Sequence, residues 1–449
     1  MNIFQINRSA IQNRLEPKFY SQKYLSNEKS LYKSPYPVRK LSEVTMLISD
    51  GTHFTPKYQS SGKKFLSVKD VRASNIDYSN SMFISDAEFE ILNKRCKPQR
   101  NDILLTKIGS IGFAAVVETD DDFQIFVSLA LIRPKTWCVL PYYLELVLNS
   151  KLVYLQFDRY LKGAGVPDLH LEEIRNLKLP LPPLSVQQSI VDLYTDAQSQ
   201  RKRKLEEAQK LLESVDAYLL SELGIELPQE DNTLKSRMFI SSFHNVSGGR
   251  IDPFANTPVL EKLRSNLNNS SFIYLKDAVT ETKFITTEIS SYDTYIGLEN
   301  IESNTGNYIR IDEKETISSA LLFERGQILF PKLRPYLNKV YLAEFNGLCS
   351  TEFHIFNAKN MDSDFLHYCL LSRITLEQTS NLMTGNTLPR LQSSDIAHIL
   401  IPNPPFEKQK EIAEHIRNIR TQAKQLKNEA DMILQEAKQK VERMILGDE

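Results

Sequence analysis

Two stretches of the chain repeat apolar residues at alternating spacings of four and three, which is the pattern of one helix face packed on another. The longer seam consists of Ile412, Ile416, Ile419, Ala423, Leu426, Ala430, Ile433, Ala437 and Met444. It is interrupted at Lys440. The shorter seam consists of Leu205, Ala208, Leu212, Val215 and Leu219. Each stretch ends at a glycine, Gly224 or Gly447, as is common after a helix C-terminus. We therefore predict two long, coiled-coil-like helices.

Each predicted helix follows a segment of mixed character. Short apolar runs such as 103–105 and 114–117 are bounded by turn residues and predict strands. Helical patterns interrupt the strands near 141–160 and 364–382. The two segments are therefore expected to be α/β domains.

Prolines separate each domain from the helix that follows it. Because proline cannot continue a strand ladder or a helix, a new element has to begin after these residues. They are Pro180, Pro182, Pro183, Pro402, Pro404 and Pro405. Ser185 and Gln188 have the spacing of a capping box at the first helix start. Glu407 and Lys410 form a weaker cap at the second.

The whole arrangement occurs twice, at a period of roughly 225 residues. FLSVKDV at 65–71 corresponds to YIGLENI at 295–301, and the longest match aligns 163–190 with 385–412. We predict an α+β fold in which two mixed α/β domains are separated by two long antiparallel helices, with internal duplication and pseudo-twofold symmetry. The predicted boundaries are 1–184 for the first domain, 185–235 for the first helix, 236–405 for the second domain and 406–449 for the second helix. The seams also fit a homodimer of helices, but the duplication favours pairing within one chain.

Composition excludes several classes of protein. The 449 residues include 55 basic and 56 acidic side chains, so a nucleic-acid surface would have to be a local patch. Cys96, Cys138, Cys349 and Cys369 form no C-x-x-C pair, which favours free thiols in a reducing compartment over disulfides or zinc. The chain has no apolar run of about 18 residues and no signal-peptide pattern. We expect a cytoplasmic protein without a membrane partner.

The motifs that suggest catalysis are incomplete. Asn403–Phe406 matches the NPPF tetrapeptide of adenine methyltransferases, but its counterpart Leu181–Leu184 lacks the asparagine and the aromatic residue. No loop of the FxGxG type accompanies it to hold S-adenosylmethionine. The glycines at 109–112 and 163–165 lack the lysine and hydroxyl residue of a P-loop, and the histidines lack metal-ligand spacing. We expect no catalytic residues, no cofactor and no metal. A methyltransferase or nuclease using NPPF, and a coiled-coil scaffold without DNA affinity, remain the alternatives.

Polar loops at matched positions of the two halves are the candidate DNA-binding surface. Lys107 after the run NDILL corresponds to Lys332, and glycine-rich or basic residues follow both lysines. Any one of these residues is typical of an ordinary exposed loop, but their recurrence as a set favours contact with DNA. The candidate DNA-binding residues are Lys57, Lys107, Ser110, Lys162, Lys332, Arg334, Tyr336, Asn386 and Arg390.

The chain resembles the specificity subunits of type I restriction–modification systems over nearly its whole length. The resemblance is carried by DGTHFTPKY, FLSVKDV, NDILLTKIGSIG, the junctions LPLPPLSVQQSIV and NPPFEKQKEIA, and the duplicated order of these segments. It implies two target recognition domains, each reading one half of a split site in double-stranded DNA. It also implies spacer helices that set the gap and bind two modification methyltransferase subunits, which restriction translocase subunits join. The second half departs from the TKxGxxG pattern with PKLRPYL, and the differing loops predict an asymmetric site.

Overall fold

The computed structural model describes residues 16–161, 165–228, 238, 240, 256–268, 271–287, 294–311, 318–379, 382–383, 389–391 and 393–448. The chain divides into two compact units, Met1–Arg203 with Glu429–Glu449, and Lys204–Asn428. Each unit contains one α/β domain and a segment from each of two long helices. The predicted fold class is confirmed.

The first α/β domain contains the helices α1 (Gln22–Lys33), α2 (Asp86–Asn93), α3 (Pro141–Leu148), α4 (Lys151–Tyr160) and α5 (Leu171–Arg175). Its strands are β1 (Val38–Lys40), β2 (Thr45–Asp50), β3 (Lys63–Leu66), β4 (Val71–Arg72), β5 (Asn75–Ile76), β6 (Met82–Ile84), β7 (Ile103–Thr106), β8 (Ala114–Val116), β9 (Phe123–Ile125), β10 (Leu129–Pro134) and β11 (Lys178–Pro180). The first long helix, α6 (Leu184–Leu223), follows. Short 3-10 turns cover Pro17–Tyr20, Leu41–Glu43 and Val68–Asp70.

The second domain contains the helices α7 (Pro258–Asn268), α8 (Leu275–Ala278), α9 (Ser363–Leu371), α10 (Arg373–Thr379) and α11 (Ser393–Ala397). Its strands are β12 (Phe272–Tyr274), β13 (Val279–Thr282), β14 (Ile285–Thr286), β15 (Tyr295–Ile296), β16 (Ala320–Phe323), β17 (Ile328–Pro331), β18 (Tyr341–Leu342), β19 (Gly347–Cys349), β20 (Phe353–Ala358) and β21 (Leu400–Pro402). The second long helix, α12 (Phe406–Leu446), follows. Short 3-10 turns cover Leu298–Asn300 and Pro335–Leu337.

The main sheets of the two domains have the same strand order, as the sequence repeat predicts. In the first domain the strand order β2-β10-β7-β8 forms an antiparallel sheet, and in the second β13-β20-β17-β18 does the same. A further sheet in each domain contains one parallel pair, β3 with β9 and β15 with β19. An antiparallel pair joins the start of each domain to its end, β1 with β11 and β12 with β21.

The central strands of each main sheet are buried on both faces. Because successive side chains of a strand point to opposite faces, alternate residues of β7 enter two different cores. Ile103 and Leu105 pack with α3 and α4, whereas Leu104 packs with the strands of the smaller sheet. The strand β17 is divided in the same way, with Ile328 in one core and Leu329 in the other. The smaller sheet and the helices therefore cover opposite faces of the main sheet.

In the first unit, the segments of α6 and α12 pack antiparallel. Ile190 near the start of α6 shares a core with Val441 and Ile445 near the end of α12. Further along, Arg201 of α6 forms an ion pair with Asp431 at 3.4 Å. The apolar seam shifts at the interruption, so Val441 and Ile445 are buried where the sequence pattern placed Lys440 and Met444.

The second unit contains an antiparallel pair as well. Glu222 of α6 forms an ion pair with Lys408 of α12 at 2.6 Å. The ring centroids of Tyr218 and His415 lie 4.1 Å apart. Tyr218 is about one turn from Glu222 along α6, and His415 is about two turns from Lys408 along α12. Pairing within the chain, which the duplication favoured, is confirmed.

Each long helix also contacts a helix of the domain that it does not directly follow in the sequence. The backbone N–H of Lys151 at the start of α4 donates to the Glu442 carboxylate of α12 at 2.8 Å. In the second unit the N–H of Arg373 at the start of α10 donates to Asp216 of α6 at 3.2 Å. A carboxylate at a helix N-terminus satisfies a free N–H and opposes the helix dipole. These contacts fix each domain to both helix segments of its unit.

The predicted capping box is wrong. The helix α6 begins at Leu184, so Ser185 lies inside it, and the side chain of Gln188 donates to Asp192 instead. The junction is held by the neighbouring Gln187, which is fully buried. Its amide donates to the carbonyls of Pro182 and Cys138 and accepts from the N–H of Leu140.

The second junction uses a glutamine in the same place. Gln409 is 1% exposed, donates to the Pro404 carbonyl at 2.8 Å and accepts from the N–H of Asp362 at 3.0 Å. A buried primary amide needs partners for both its oxygen and its nitrogen, and these junctions supply them. The repeat therefore extends to a buried hydrogen-bond network that the capping interpretation missed.

Candidate nucleic-acid interface

The loops after β7 and β17 are held by the same backbone hydrogen bonds in both units. The N–H of Lys107 donates to the Ser128 carbonyl at 2.9 Å, and the carbonyl of Lys107 accepts from the N–H of Leu169 at 2.9 Å. In the second unit Lys332 is bonded in the same way, to Glu352 at 2.8 Å and to Leu391 at 3.2 Å. We call these segments, 106–112 and 331–338, the lysine loops.

The lysine loops share a left-handed residue and its backbone hydrogen bond in spite of their different sequences. Gly109 has φ +82° and its N–H donates to the Pro167 carbonyl at 2.9 Å. Arg334 has φ +49° and its N–H donates to the Pro389 carbonyl at 2.8 Å. Left-handed φ is easy for glycine and strained for arginine. The departure from the glycine pattern in the second half therefore changes the side chain without changing the turn.

Lys107 is buried, at 4% exposure, and its ammonium lies between two carboxylates. It is 3.6 Å from Asp50 and 3.8 Å from Asp168. Asp50, at the end of β2, is itself 3% exposed. Burial alone would raise the pKa of Asp50, but the hydrogen bond from Arg95 and the charges of Lys107 and Arg95 lower it more, so its pKa is below the usual value. The buried ion pair of Lys107 and Asp50 therefore stabilises the lysine loop from inside the domain.

The same carboxylate holds two side chains that face solvent. The Nη2 of Arg95 lies 2.5 Å from Oδ1 of Asp50, and the Nε2 of His53 lies 3.4 Å from that oxygen. The side chains of Arg95 and His53 are 50% and 55% exposed. The next residue, Phe54, is 83% exposed. Asp50 therefore separates a buried cation from exposed polar and aromatic groups.

A tight backbone contact fixes the segment that carries these groups. A Cβ on Gly51 would lie 1.9 Å from the carbonyl oxygen of Ile125, so only glycine fits there. The N–H of Thr52 donates to that carbonyl at 3.2 Å, and the Thr52 carbonyl accepts from Val127 at 3.0 Å. The Thr52 hydroxyl also accepts from the N–H of Phe54 at 3.1 Å. The outward direction of this segment is therefore set by the sheet edge.

In the second unit the corresponding lysine is less buried and has different neighbours. Lys332 donates to the Thr351 carbonyl at 2.8 Å, and burial lowers its pKa. Glu281 of β13 lies 2.6 Å from Nδ1 of His354 and 3.0 Å from Lys283. The pKa of Glu281 is lowered by these partners, against the effect of burial. A carboxylate from the first strand of the main sheet thus accompanies the lysine in both units.

The charge next to the lysine loop is reversed between the units. Ile108 forms an isolated antiparallel bridge with Asp168, and Leu333 forms the equivalent bridge with Arg390. Asp168 is 42% exposed, and Arg390 is 53% exposed and paired with Glu352 at 2.6 Å. One backbone position therefore presents a carboxylate in the first unit and a guanidinium in the second.

The candidate DNA-binding residues fall into three groups. Lys57, Ser110, Arg334, Tyr336 and Arg390 are exposed on their loops. Lys107 is buried and Lys332 is half-buried. Each lysine therefore lies beneath the exposed candidate residues of its own domain. Lys162 and Asn386 lie outside the described residues.

Sequence reasoning missed Arg95 as a member of this cluster, and it included Asp50 in the DGTHFTPKY segment without giving it a role of its own. Arg95 follows α2 and lies 45 positions from Asp50 along the chain, with no motif joining the two. The available signal was a carboxylate at the end of an apolar strand, which requires a cationic partner once it is buried. That signal predicts the charge of the partner but not its position.

The NPPF segment lies at the junction with α12. The N–H of Asn403 donates to the Ser271 carbonyl at 2.8 Å, and its side-chain oxygen accepts from Gln409 at 3.2 Å. The equivalent N–H of Leu181 donates to the Pro37 carbonyl at 2.9 Å. These bonds give Asn403 a structural part in the junction.

Among the described residues, no group of three or more His, Cys, Asp or Glu side chains is arranged to hold a metal ion. Cys96, Cys349 and Cys369 are buried, and Cys138 is partly buried; all four are free thiols, as expected. Within the same part of the chain, no helix has both the length and the apolar character needed to cross a bilayer.

The fold and the interface define a class: an internally duplicated α/β protein with one lysine loop in each half and a long helix after each domain. The family model for the type I restriction modification DNA specificity domain matches residues 33–211 and 265–432. These two matches cover more than half of the chain and coincide with its two copies, so the chain belongs to this family.

Relatives with assigned names agree with the family. The chain is 27% identical over 266 residues to the type I restriction enzyme EcoDI specificity subunit of Escherichia coli, covering 58% of each protein. It is 22% identical over 368 residues to the MjaVIII specificity subunit of Methanocaldococcus jannaschii, covering 80% of this chain and 81% of that protein. The alignment with the EcoDI subunit therefore spans less than two thirds of that protein's length.

A chain from a solved type I restriction–modification system has a similar fold. The TM-score is 0.54 at 15% sequence identity, and the alignment covers 92% of this chain and 99% of the other. At this identity the similarity concerns the fold alone.

Proposed function

We propose that this chain is the sequence-specific DNA-binding specificity subunit of a type I restriction–modification complex. Each unit reads one half of a split site in double-stranded DNA. The observation that carries the proposal is the lysine loop, which has one backbone frame in both units and different exposed side chains on it. A constant frame with variable side chains suits two readers of different sequences, since base edges are recognised by side-chain hydrogen bonds.

The reversal of charge at Asp168 and Arg390 supports an asymmetric site. A carboxylate accepts from the amino group of cytosine, whereas arginine donates to O6 and N7 of guanine. Positions that are equivalent in backbone terms therefore favour different bases. The two half-sites are expected to differ in sequence.

The exposed residues of the loops are the proposed contacts with DNA. They are Lys57, Ser110, Arg334, Tyr336 and Arg390, with Lys162 and Asn386 retained as proposed contacts. Lys107 and Lys332 contribute indirectly, because their ammonium groups support the loops from beneath. Neutralising a phosphate contact should lower the salt dependence of binding by about one unit of log–log slope.

The partners of the proposed complex are two modification methyltransferase subunits, with restriction translocase subunits joining them. The long helices α6 and α12 bind the methyltransferase subunits and set the gap between the half-sites. The chain itself has no catalytic residues and needs no cofactor, so S-adenosylmethionine turnover by the isolated chain would contradict this part of the proposal. In this proposal the complex acts in the cytoplasm.

Methylome sequencing tests the proposed function directly. Cells that express the chain with its modification subunit are compared with cells that lack the gene for this chain. The expected result is one methylated motif, made of two different half-sites with a fixed gap, that disappears when the gene is absent. A methylome that does not depend on the gene would overturn the proposal.

A further inference from the structure

We propose that Arg95 is a DNA contact of the first recognition domain and that Asp50 is its positioning residue. This inference rests on the proposed function, since it assigns a further residue to the surface that reads DNA. The starting observation is that Lys107, the cation that sequence reasoning selected here, is 4% exposed. A cation that contacts DNA has to reach the surface, and in this cluster Arg95 does so.

Two bonds fix the orientation of the Arg95 guanidinium. Its Nη2 donates to Oδ1 of Asp50 at 2.5 Å, and its Nε donates to the backbone carbonyl of the same residue at 3.3 Å. Because the guanidinium is planar, two bonds along one edge determine the direction of the whole group. Half of the side chain remains exposed. Holding the group in advance lowers the side-chain entropy lost on binding.

The surroundings of Arg95 form a small recognition surface. His53 lies 3.1 Å from its Nη2, and the exposed ring of Phe54 follows on the rigid segment fixed at Gly51. An apolar ring beside a fixed cation suits nucleic acid, since rings contact the thymine methyl group while arginine binds acceptors. These groups come from one sheet edge and from the end of α2.

The contacts with Asp50 and His53 involve Nε and Nη2 of Arg95, so the two N–H groups of Nη1 are the donors offered to a ligand. Acceptors for them are O6 and N7 of guanine in the major groove and the oxygens of a phosphate. Both belong to the same DNA, and they differ in what they do to specificity. A guanine contact makes binding depend on one base pair, whereas a phosphate contact strengthens binding to all sequences.

The test is selection from a random DNA pool with the full chain and the variants Arg95→Ala, Arg95→Lys and Arg100→Ala. Arg100 is the matched control, because its side chain is 55% exposed and paired with Asp120 at 3.1 Å, away from Asp50. The half-site read by the second domain is an internal control for folding and concentration. Salt dependence of binding is measured on the selected sequence for each variant.

The expected result for Arg95→Ala takes one of two forms, and both support the inference. A guanine contact predicts loss of preference at one base pair of one half-site, by about 5- to 150-fold, which corresponds to about 1–3 kcal/mol at about 1.4 kcal/mol per tenfold. A phosphate contact predicts uniform weakening and a salt slope lower by about one. Arg95→Lys retains the charge without the fork, so it should restore a phosphate contact better than a guanine contact.

Two outcomes separate the inference from the proposed function. If the wild-type chain selects a split motif and both Arg95 variants match it in preference, affinity and salt slope, the inference is wrong and the function stands. If the wild-type chain enriches no sequence, the function itself fails. Arg100→Ala should behave like the wild type; if it shows the same loss as Arg95→Ala, the effect is one of overall charge and overturns the inference.

The positioning role of Asp50 is tested by Asp50→Asn, alone and combined with Arg95→Ala. If Asp50 acts through Arg95, the single variant weakens the same contact and adds nothing in the double variant. Normal DNA preference in a folded Asp50→Asn variant would overturn the positioning role. If Asp50→Asn does not fold, the same decision is made with Asp50→Glu. Glutamate keeps the charge but changes the reach, so it should weaken the Arg95 contact and leave the second half-site intact.

Discussion

Gly109 and Arg334 occupy the same position in the two lysine loops and share a left-handed backbone, with φ +82° and φ +49°. Their N–H groups donate to equivalent carbonyls, those of Pro167 and Pro389. The first loop uses the residue that adopts this conformation without strain. The second loop accepts strain at Arg334, and it gains an exposed cation at the point where the first has no side chain.

Replacing Arg334 with glycine should therefore separate stability from DNA binding. Arg334→Gly is expected to stabilise the chain by about 1 kcal/mol through relief of the left-handed strain. It should also weaken DNA binding, because the proposed contact is lost. Urea unfolding and a binding titration on the selected DNA measure the two effects.

Arg334→Ala is the matched control. Alanine also removes the cation but keeps a Cβ at positive φ, so the gain in stability should be absent while the loss of binding is the same. Equal stability of the glycine and alanine variants would contradict the strain argument. Unchanged binding by both would contradict the contact.

Gly51→Ala should be among the most damaging small substitutions in the first unit. The added Cβ would lie 1.9 Å from the Ile125 carbonyl oxygen, so the backbone on one side has to move. We expect a loss of about 1–3 kcal/mol, the usual effect of forcing an atom into a packed site. Gly165→Ala is the control, because nothing lies within 4 Å of its Cβ position. Thermal unfolding of both variants measures the difference. Similar melting temperatures would show that the backbone at Gly51 can move without loss of stability.

Asp50 should make the first unit sensitive to acid. Its pKa in the folded chain is lowered, so its contribution is complete above the unfolded pKa of about 3.9 and is lost as the pH falls through the folded value. Asp50→Asn should destabilise the chain at neutral pH, by at most the about 3–5 kcal/mol of a buried charge that loses its partner, because Lys107 then keeps only the more exposed Asp168, at 3.8 Å. The free energy of unfolding of this variant should then fall less steeply than that of the wild type below about pH 4.

Asp120→Asn provides the comparison for that experiment. The Asp120 carboxylate is 79% exposed and pairs with Arg100 at the surface, where an ion pair contributes little. Its stability curve should follow the wild type at all pH values. If Asp50→Asn also follows the wild type, Asp50 is not the acid-sensitive group.

The spacer role of the helices predicts the effect of inserting one heptad into both α6 and α12. Seven residues keep the apolar seam in register and lengthen each helix by about 10 Å, or about three base pairs of DNA. The expected methylome has the same two half-sites with a longer gap. Inserting two residues instead turns the following part of each seam by about 200°, away from its partner, and should abolish activity. An active heptad variant that methylates sites with the original gap would show that the helices do not set it.

The sequence by itself determined the duplication, the α/β character of each half and the two long helices. These features depend on local periodicity, on proline and glycine positions and on matches repeated in order, all of which are readable along the chain. The seam from Ile412 to Ala437 predicted the buried face of α12, and Gly224 and Gly447 predicted the two helix ends. The capping-box prediction was wrong because the spacing of Ser185 is only a local pattern. The helix start is held instead by Gln187, whose hydrogen bonds with Pro182 and Leu140 depend on the tertiary structure.

Only the tertiary structure decided what surrounds the lysines. Asp50 and Asp168 lie against Lys107, and Arg95 lies against Asp50, from segments far apart in the chain, through strand register and a bridge to Ile108. Lys107 is therefore buried and Lys332 is half-buried, although the sequence predicted that both lysines contact DNA. A local pattern specifies which face of an element is apolar, whereas the partner of a buried charge depends on which distant segments the fold brings within about 4 Å.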